Sequence, residues 1–286
     1  MRINVTMLRD FLKCPQYAWN MHVLFRGPDG PAAVSLDVGR LFHEGMEARM
    51  KGTKLMPIRY PSWVKVRPEA REKFEKHKLW LPINAFAPET DWRIEAVEVA
   101  LADEMGMATL QGRLDAIIKW NGKFWSLQWK TYEGDLLGLQ ERVRLSWHEA
   151  AYQYLAEQNA YKPWGGTILG ACEKLPGYRL IGEPKKRVEV TDEDRIGALT
   201  FHYLARSQRQ QMRIMQDVYG VIQDMHRVLA GGAVFSPQQF MPRNYDTCFG
   251  PYGRSRCPYF AACHEGANIM EPPFVQLEPR YEQEEA

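Results

Sequence analysis

Apolar positions recur along this chain in two periods, and each change of period marks an element. At helical spacing, Met7, Leu8, Phe11 and Leu12 predict an N-terminal helix over 5–25, capped by Thr6 and bent or broken at Pro15. A loop holding Gly27, Pro28, Asp29, Gly30 and Pro31 separates it from a second helix at about 32–51, with Val38, Leu41, Phe42 and Met46 on its inner face. Residues 61–80 predict a charged, exposed helix, and a strand follows at about 92–101. Glu95 and Glu98 are three apart on it, so a regular strand sends them to opposite faces and both read as surface charge.

The clearest alternation is LQGRLDAIIKWNGKFWSLQWKT, Leu110 to Thr131. Asn121-Gly122 suits a two-residue turn with positive φ at both positions, and β-branched or apolar residues flank it. Counting outward from the turn, Trp120 faces Lys123, Ile118 faces Trp125 and Asp115 faces Gln128. Residues two apart share a face, so Asp115, Gln128 and Lys130 converge. An acid, a second oxygen donor and a lysine in that layout match a hydrolytic metal site: oxygens hold a hard cation, the cation activates water, and the lysine steadies the attacking hydroxide or phosphate charge. An amphipathic hairpin with a surface Asp and Lys gives the same pattern.

Beyond the hairpin, 132–145 reads as a connection and 146–161 as a helix, with Ser146 at its cap and Glu149 completing a capping box. Strands are expected at about 165–173 and 178–190, the second ending in Lys185, Lys186 and Arg187. Thr191 then starts a long helix to about Ala230. Arg206, Arg209 and Arg213 lie at i, i+3 and i+7, on one face of it; with the Lys185 to Arg187 run they offer a track for a phosphate backbone.

Composition narrows this picture. The 286 residues allow one large domain or two small ones, and a net charge of +2 does not by itself mark a nucleic-acid binder. The acidic end, EPRYEQEEA, leaves the remainder more basic than the total. Nine Trp and 13 Tyr can fill core or stack on bases. The N-terminus lacks the apolar stretch and small residues of a signal peptide, and no segment is long and apolar enough for a membrane span; the expectation is a cytoplasmic protein without membrane contact. No Gly-x4-Gly-Lys-Ser/Thr loop is present, so ATP-driven unwinding is not expected.

Five cysteines in such a chain argue against a disulfide framework. Cys248, Cys257 and Cys263 lie close together and are one ligand short of four, which Cys14 could supply. Zinc is one occupant; its sites usually show short C-x2–4-C pairs, and none occurs here. Cys172, among small and apolar residues, reads as a buried thiol.

The segment GRLD, a hairpin and then QWKT resembles motifs II and III of the PD-(D/E)XK nuclease superfamily, in its RecB-like branch. Gly39-x3-His43 resembles motif I of that branch. The resemblance spans residues 6 to about 263 with the motifs in order. It implies an α/β fold, a central mixed sheet flanked by helices, with a helical, loop-rich lobe joining the two ends of the chain.

The division it implies is an N-terminal helix in 1–30, a nuclease core in 31–190, a long helix and cysteine region in 191–272 and a tail in 273–286. It makes Asp115 and His43 ligands of Mg²⁺ or Mn²⁺, with the Gln128 amide and Trp129 carbonyl beside them, and Lys130 the catalytic lysine. Imidazole suits manganese. Gln128 is the departure, because Asp or Glu is usual there and an amide offers a dipole in place of a charge.

The family's Gln-x3-Tyr motif near DNA falls on His148 and Tyr152, with its glutamine replaced. Iron–sulfur members carry one cysteine before the core and three after it, which implies a [4Fe-4S] cluster on Cys14, Cys248, Cys257 and Cys263. The implied activity is a DNA exonuclease on single-stranded ends, working with recombination, replication or CRISPR-adaptation proteins. The alternatives are an inactive iron–sulfur DNA-binding subunit and a zinc-stapled interaction scaffold.

Overall fold

A computed structural model describes residues 2–22, 26–28, 34–52, 66–88, 91–181, 183, 185–232, 259, 263, 269–270 and 274–276. The chain forms two compact units, one of Met1–Gly30, Asp103–Gln111 and Met212–Ala286, the other of Pro31–Ala102 and Gly112–Gln211.

In the second unit, the Asn121-Gly122 turn has φ of 49° and 72°, the paired positive values a two-residue hairpin needs. It joins β4 (Ala108–Trp120) to β5 (Lys123–Tyr132), and the register Trp120↔Lys123, Ile118↔Trp125, Ala116↔Leu127 is the one obtained by counting from the turn. β3 (Arg93–Met105) pairs with β4. The chain then passes through α6 (Leu136–Arg144) and α7 (Trp147–Gln158) to β6 (Trp164–Glu173), which runs parallel to β5. A parallel neighbour requires such a crossover. β9 (Leu199–Leu204) closes this mixed sheet antiparallel to β6.

Alternation gives the sheet two faces. Ala116, Ile118, Leu127, Trp129, Ile168 and Cys172 form one, packed under α3 (Val34–Met50) through Val38, Leu41, Phe42 and Met46, and under α4 (Pro68–Lys76) and α5 (Trp80–Ala85) through Phe74 and Ile83. Leu169 and Ala171 belong to the other, covered by Val143, Leu136 and Leu139 of α6. The Trp129 indole needs the space above Gly170: a Cβ there would lie 2.3 Å from its ring.

Several elements differ from their expected form. Residues 191–230 are not one helix: α8 (Asp192–Ile196) ends at Gly197, β9 follows, and α9 (Gln208–Gly232) begins only afterwards. Leu199 and Phe201 pack into the core while Thr200 and His202 point away, so sheet burial overrides helical spacing. The expected connection at 132–145 contains α6, capped by Asp135. Of the helix expected over 61–80, residues 61–65 lie outside the described residues, and the remainder is α4 followed, after Lys78 with φ of 47°, by the start of α5. The expected strand at 178–190 is a small hairpin, β7 (Tyr178–Ile181) with β8 (Lys186–Glu189).

In the first unit, β1 (Arg2–Asn4) lies parallel to the start of β4, and α1 (Val5–Lys13) is capped by Asn4, not Thr6: the Asn4 side chain accepts from Met7 N. The helix stops at Cys14, and α2 (Pro15–His22) starts on Pro15, so the break falls where proline placed it. Sequence-distant segments meet here. β10 (Phe274–Gln276) pairs antiparallel with β2 (Arg26–Pro28), and Tyr259 packs edge-on against Tyr17 at 5.2 Å. Among the described residues no helix is long and apolar enough to cross a membrane.

Candidate active site

The printed pairing of β4 with β5 ends at Ala116↔Leu127, one pair short of Asp115 and Gln128. Beyond it the Asp115 carboxylate replaces a strand carbonyl: Oδ2 accepts a hydrogen bond from the Trp129 backbone N–H at 2.9 Å. The same oxygen lies 3.4 Å from Nδ1 of His43, carried by α3. Burial pushes the Asp115 carboxyl up, but His43, Lys130 and the Trp129 N–H together outweigh it and hold the group below its ordinary value. Asp115, His43, Lys130 and the Trp129 backbone, all singled out from sequence, are therefore brought together. Gln128 is buried at 5% exposure, and its amide makes no hydrogen bond to a described residue.

Two acidic residues join this group that sequence reasoning did not assign to it. Glu98 is not plain surface charge. Its φ of 54° is left-handed, which interrupts the alternation of β3 that had placed it. That conformation costs about 1 kcal/mol in a residue with a Cβ. Burial and the Asp115 charge push its carboxyl up to about 7, although Arg113 pairs with it at 2.6 Å.

Glu149 does not complete a capping box. Ser146 caps α7 through His148 N, and the Glu149 carboxyl turns inward to accept from Thr167 Oγ1 at 2.9 Å; Ser126 Oγ donates onward to Thr167 at 3.0 Å. At 3% exposure, burial pushes Glu149 up to about 7 against the pull of Lys130 and Arg206. The available signal was its helix face: Glu149 stands seven residues before Ala156, which is fully buried.

The remaining expected residues are more scattered. His148 and Tyr152 stack on α7 with ring centroids 6.1 Å apart. Lys185, Lys186 and Arg187 are exposed at the β7–β8 hairpin. Arg206, Arg209 and Arg213 are not one helical stripe, because Arg206 precedes α9. Its guanidinium donates to the carbonyls of Arg144 and Val143 at 2.6 and 3.2 Å, at the end of α6 where a cation is favoured. Arg209 and Arg213 are exposed on α9. Cys172 is fully buried, and desolvation pushes its thiol up to about 12. Cys14 is buried and Cys263 half-buried, while Cys248 and Cys257 lie outside the described residues.

Among the described residues no three His, Cys, Asp or Glu side chains are grouped to hold a metal ion by themselves. The donors gathered at the hairpin and α3 are of the right chemistry all the same: one carboxylate, one imidazole and one amide.

The model of the PD-(D/E)XK nuclease superfamily matches residues 2–264, and the chain belongs to that superfamily. Nucleases of this class typically use Mg²⁺ or Mn²⁺. No curated protein matches the sequence. Among solved structures, a Eubacterium rectale protein described as a candidate exonuclease is similar at a TM-score of 0.50 and 10% identity, over 95% of this chain and 90% of that one. This likeness shows the fold. The structure of SSO0001 overlaps 76% of this chain and 74% of its own at 15% identity, with a TM-score of 0.29 that carries no argument.

Proposed function

We propose that this protein is a metal-dependent deoxyribonuclease acting as an exonuclease on single-stranded ends. The observation that carries this reading is the Asp115 carboxylate, fixed by the Trp129 N–H, facing the His43 imidazole and lying in the field of Lys130. Asp115, His43 and the Gln128 amide would hold Mg²⁺ or Mn²⁺, with the Trp129 carbonyl beside them. When bound, the cation supplies an acidified water and neutralises phosphate charge. Lys130 makes no ion pair among the described residues, so its ammonium is available to orient the attacking water. Glu98, paired with Arg113, adds a carboxyl in the field of Asp115. DNA contacts are assigned to His148, Tyr152, Lys185, Lys186, Arg187, Arg209 and Arg213.

The reading includes a [4Fe-4S] cluster on Cys14, Cys248, Cys257 and Cys263. What supports this is that sequence-distant segments meet: Cys263 packs with Tyr259, Ile269 and Phe274, beside Tyr17 and Met21 of the helix that follows Cys14. Recombination, repair or CRISPR adaptation are the roles proposed for this core.

The test incubates end-labelled single- and double-stranded DNA with anaerobically purified protein and Mn²⁺ or Mg²⁺, beside Lys130→Ala. Cleavage by the wild type alone supports the reading; equal inertness of both, with DNA still bound, favours an inactive DNA-holding subunit. Iron and acid-labile sulfide in the same preparation check the cluster, and zinc in their place would remove it.

A further inference from the structure

The hairpin of β7 and β8 is a separate two-stranded sheet. It is anchored at its base, where Val190 N donates to Gly177 O and Leu175, Val190 and Ala198 pack together. Beyond that base β8 is exposed along its whole length. Isolated two-stranded hairpins are marginal in water, and surface hairpins usually carry polar residues. This one exposes Tyr178, Leu180 and Val188 at 42%, 59% and 45%.

Register places Tyr178 opposite Glu189 and Leu180 opposite Arg187, so these four share a face. Arg187 lies diagonally across from Tyr178, and its guanidinium sits 3.7 Å from the centre of the phenol ring. One side of the ring is thus covered by a flat cation. Lys185 adds positive charge at the turn that leads into β8, while Lys186, opposite Ile181, projects from the other face.

Resting on the nuclease reading above, we propose that this hairpin is an arm that binds single-stranded DNA, with Tyr178 and Arg187 as a stacking platform and Lys185 on the phosphates. The juxtaposition selects the ligand. A duplex presents phosphates but hides the faces of its bases, whereas a single strand presents both, and this face offers a cation-backed ring and an apolar neighbour, with Lys185 at the adjoining turn. An acidic protein would satisfy the lysines without using the exposed ring.

The test measures fluorescence anisotropy of labelled oligo-dT and of a duplex of equal length, without divalent metal, on the full-length protein, Tyr178→Ala and Arg187→Ala. Wild type is expected to prefer the single strand. Tyr178→Ala should weaken that binding about tenfold while leaving duplex affinity unchanged, and Arg187→Ala should weaken both and lower the salt dependence. Both positions are exposed, and an unchanged melting temperature confirms folding. Duplex preference, or an unaltered single-strand affinity in Tyr178→Ala, overturns the proposal, and binding of an acidic polypeptide in place of DNA does so too. Hydrolysis of bis(p-nitrophenyl) phosphate with Mn²⁺ is read separately. Its absence alongside a Tyr178 effect sinks the nuclease reading and leaves the arm; its presence with no Tyr178 effect does the reverse.

Discussion

Trp129 donates its backbone N–H to Asp115 Oδ2 at 2.9 Å, where the pairing of β4 with β5 gives way. The acidic group is therefore oriented by the main chain of the strand that carries Lys130, and a shift of β5 moves both residues together. Rigid support of this kind is what a hydrolytic site needs to keep its donors in place.

His43 reaches the same oxygen from α3 and is 30% exposed, so little packing depends on it. His43→Ala is expected to cut cleavage on the order of 100-fold and weaken Mn²⁺ binding, with stability changed by less than about 1 kcal/mol. Titration of Mn²⁺ against both proteins checks it; equal affinity would remove His43 from the ligand set.

Gln128→Glu supplies the charge that the hairpin lacks. The variant should bind Mn²⁺ or Mg²⁺ more tightly, by about tenfold, and still cleave. Isothermal titration with each metal measures this, and unchanged affinity would mean that the Gln128 side chain does not face the cation.

Glu149 gives a pH signature. Its folded value of about 7 lies above the ordinary 4.5, so the folded state holds the proton more firmly. The resulting stability is fully present below pH 4.5 and is lost as pH rises through 7. The full difference is up to about 3 kcal/mol, from 1.36 kcal/mol per unit. Glu149→Gln should therefore gain on the wild type in metal-free denaturation at pH 8 and not at pH 4.5. Equal gain at both pH values would contradict the assignment.

Gly170→Ala would press a methyl into the Trp129 ring. Overpacking of that order costs about 1–3 kcal/mol, visible as a lower urea midpoint. Since Trp129 also holds Asp115, cleavage should fall further than the stability loss explains. Activity that simply tracks the folded fraction would separate the two roles.

Short-range chemistry accounts for what was legible in sequence. The Asn121-Gly122 turn fixed a register two residues at a time, and continuing that register brings Asp115 into the field of Lys130. Pro15 broke its helix where it stands, and the inner face of α3 followed helical spacing. Glu98 escaped because one left-handed residue reverses strand alternation, and no periodic pattern encodes that. The segment around β9 escaped because its strand state comes from pairing with β6.

The sequence by itself thus determined the hairpin and the juxtaposition of its two candidate site residues, since local turn geometry and side-chain period suffice for these, and its motifs carried the resemblance to the superfamily. Only the tertiary structure decided that Glu98 and Glu149 join the site, and that Arg206 serves the end of α6. Those roles depend on which distant backbone a side chain meets once burial has excluded water, and burial is a property of the packed sheet.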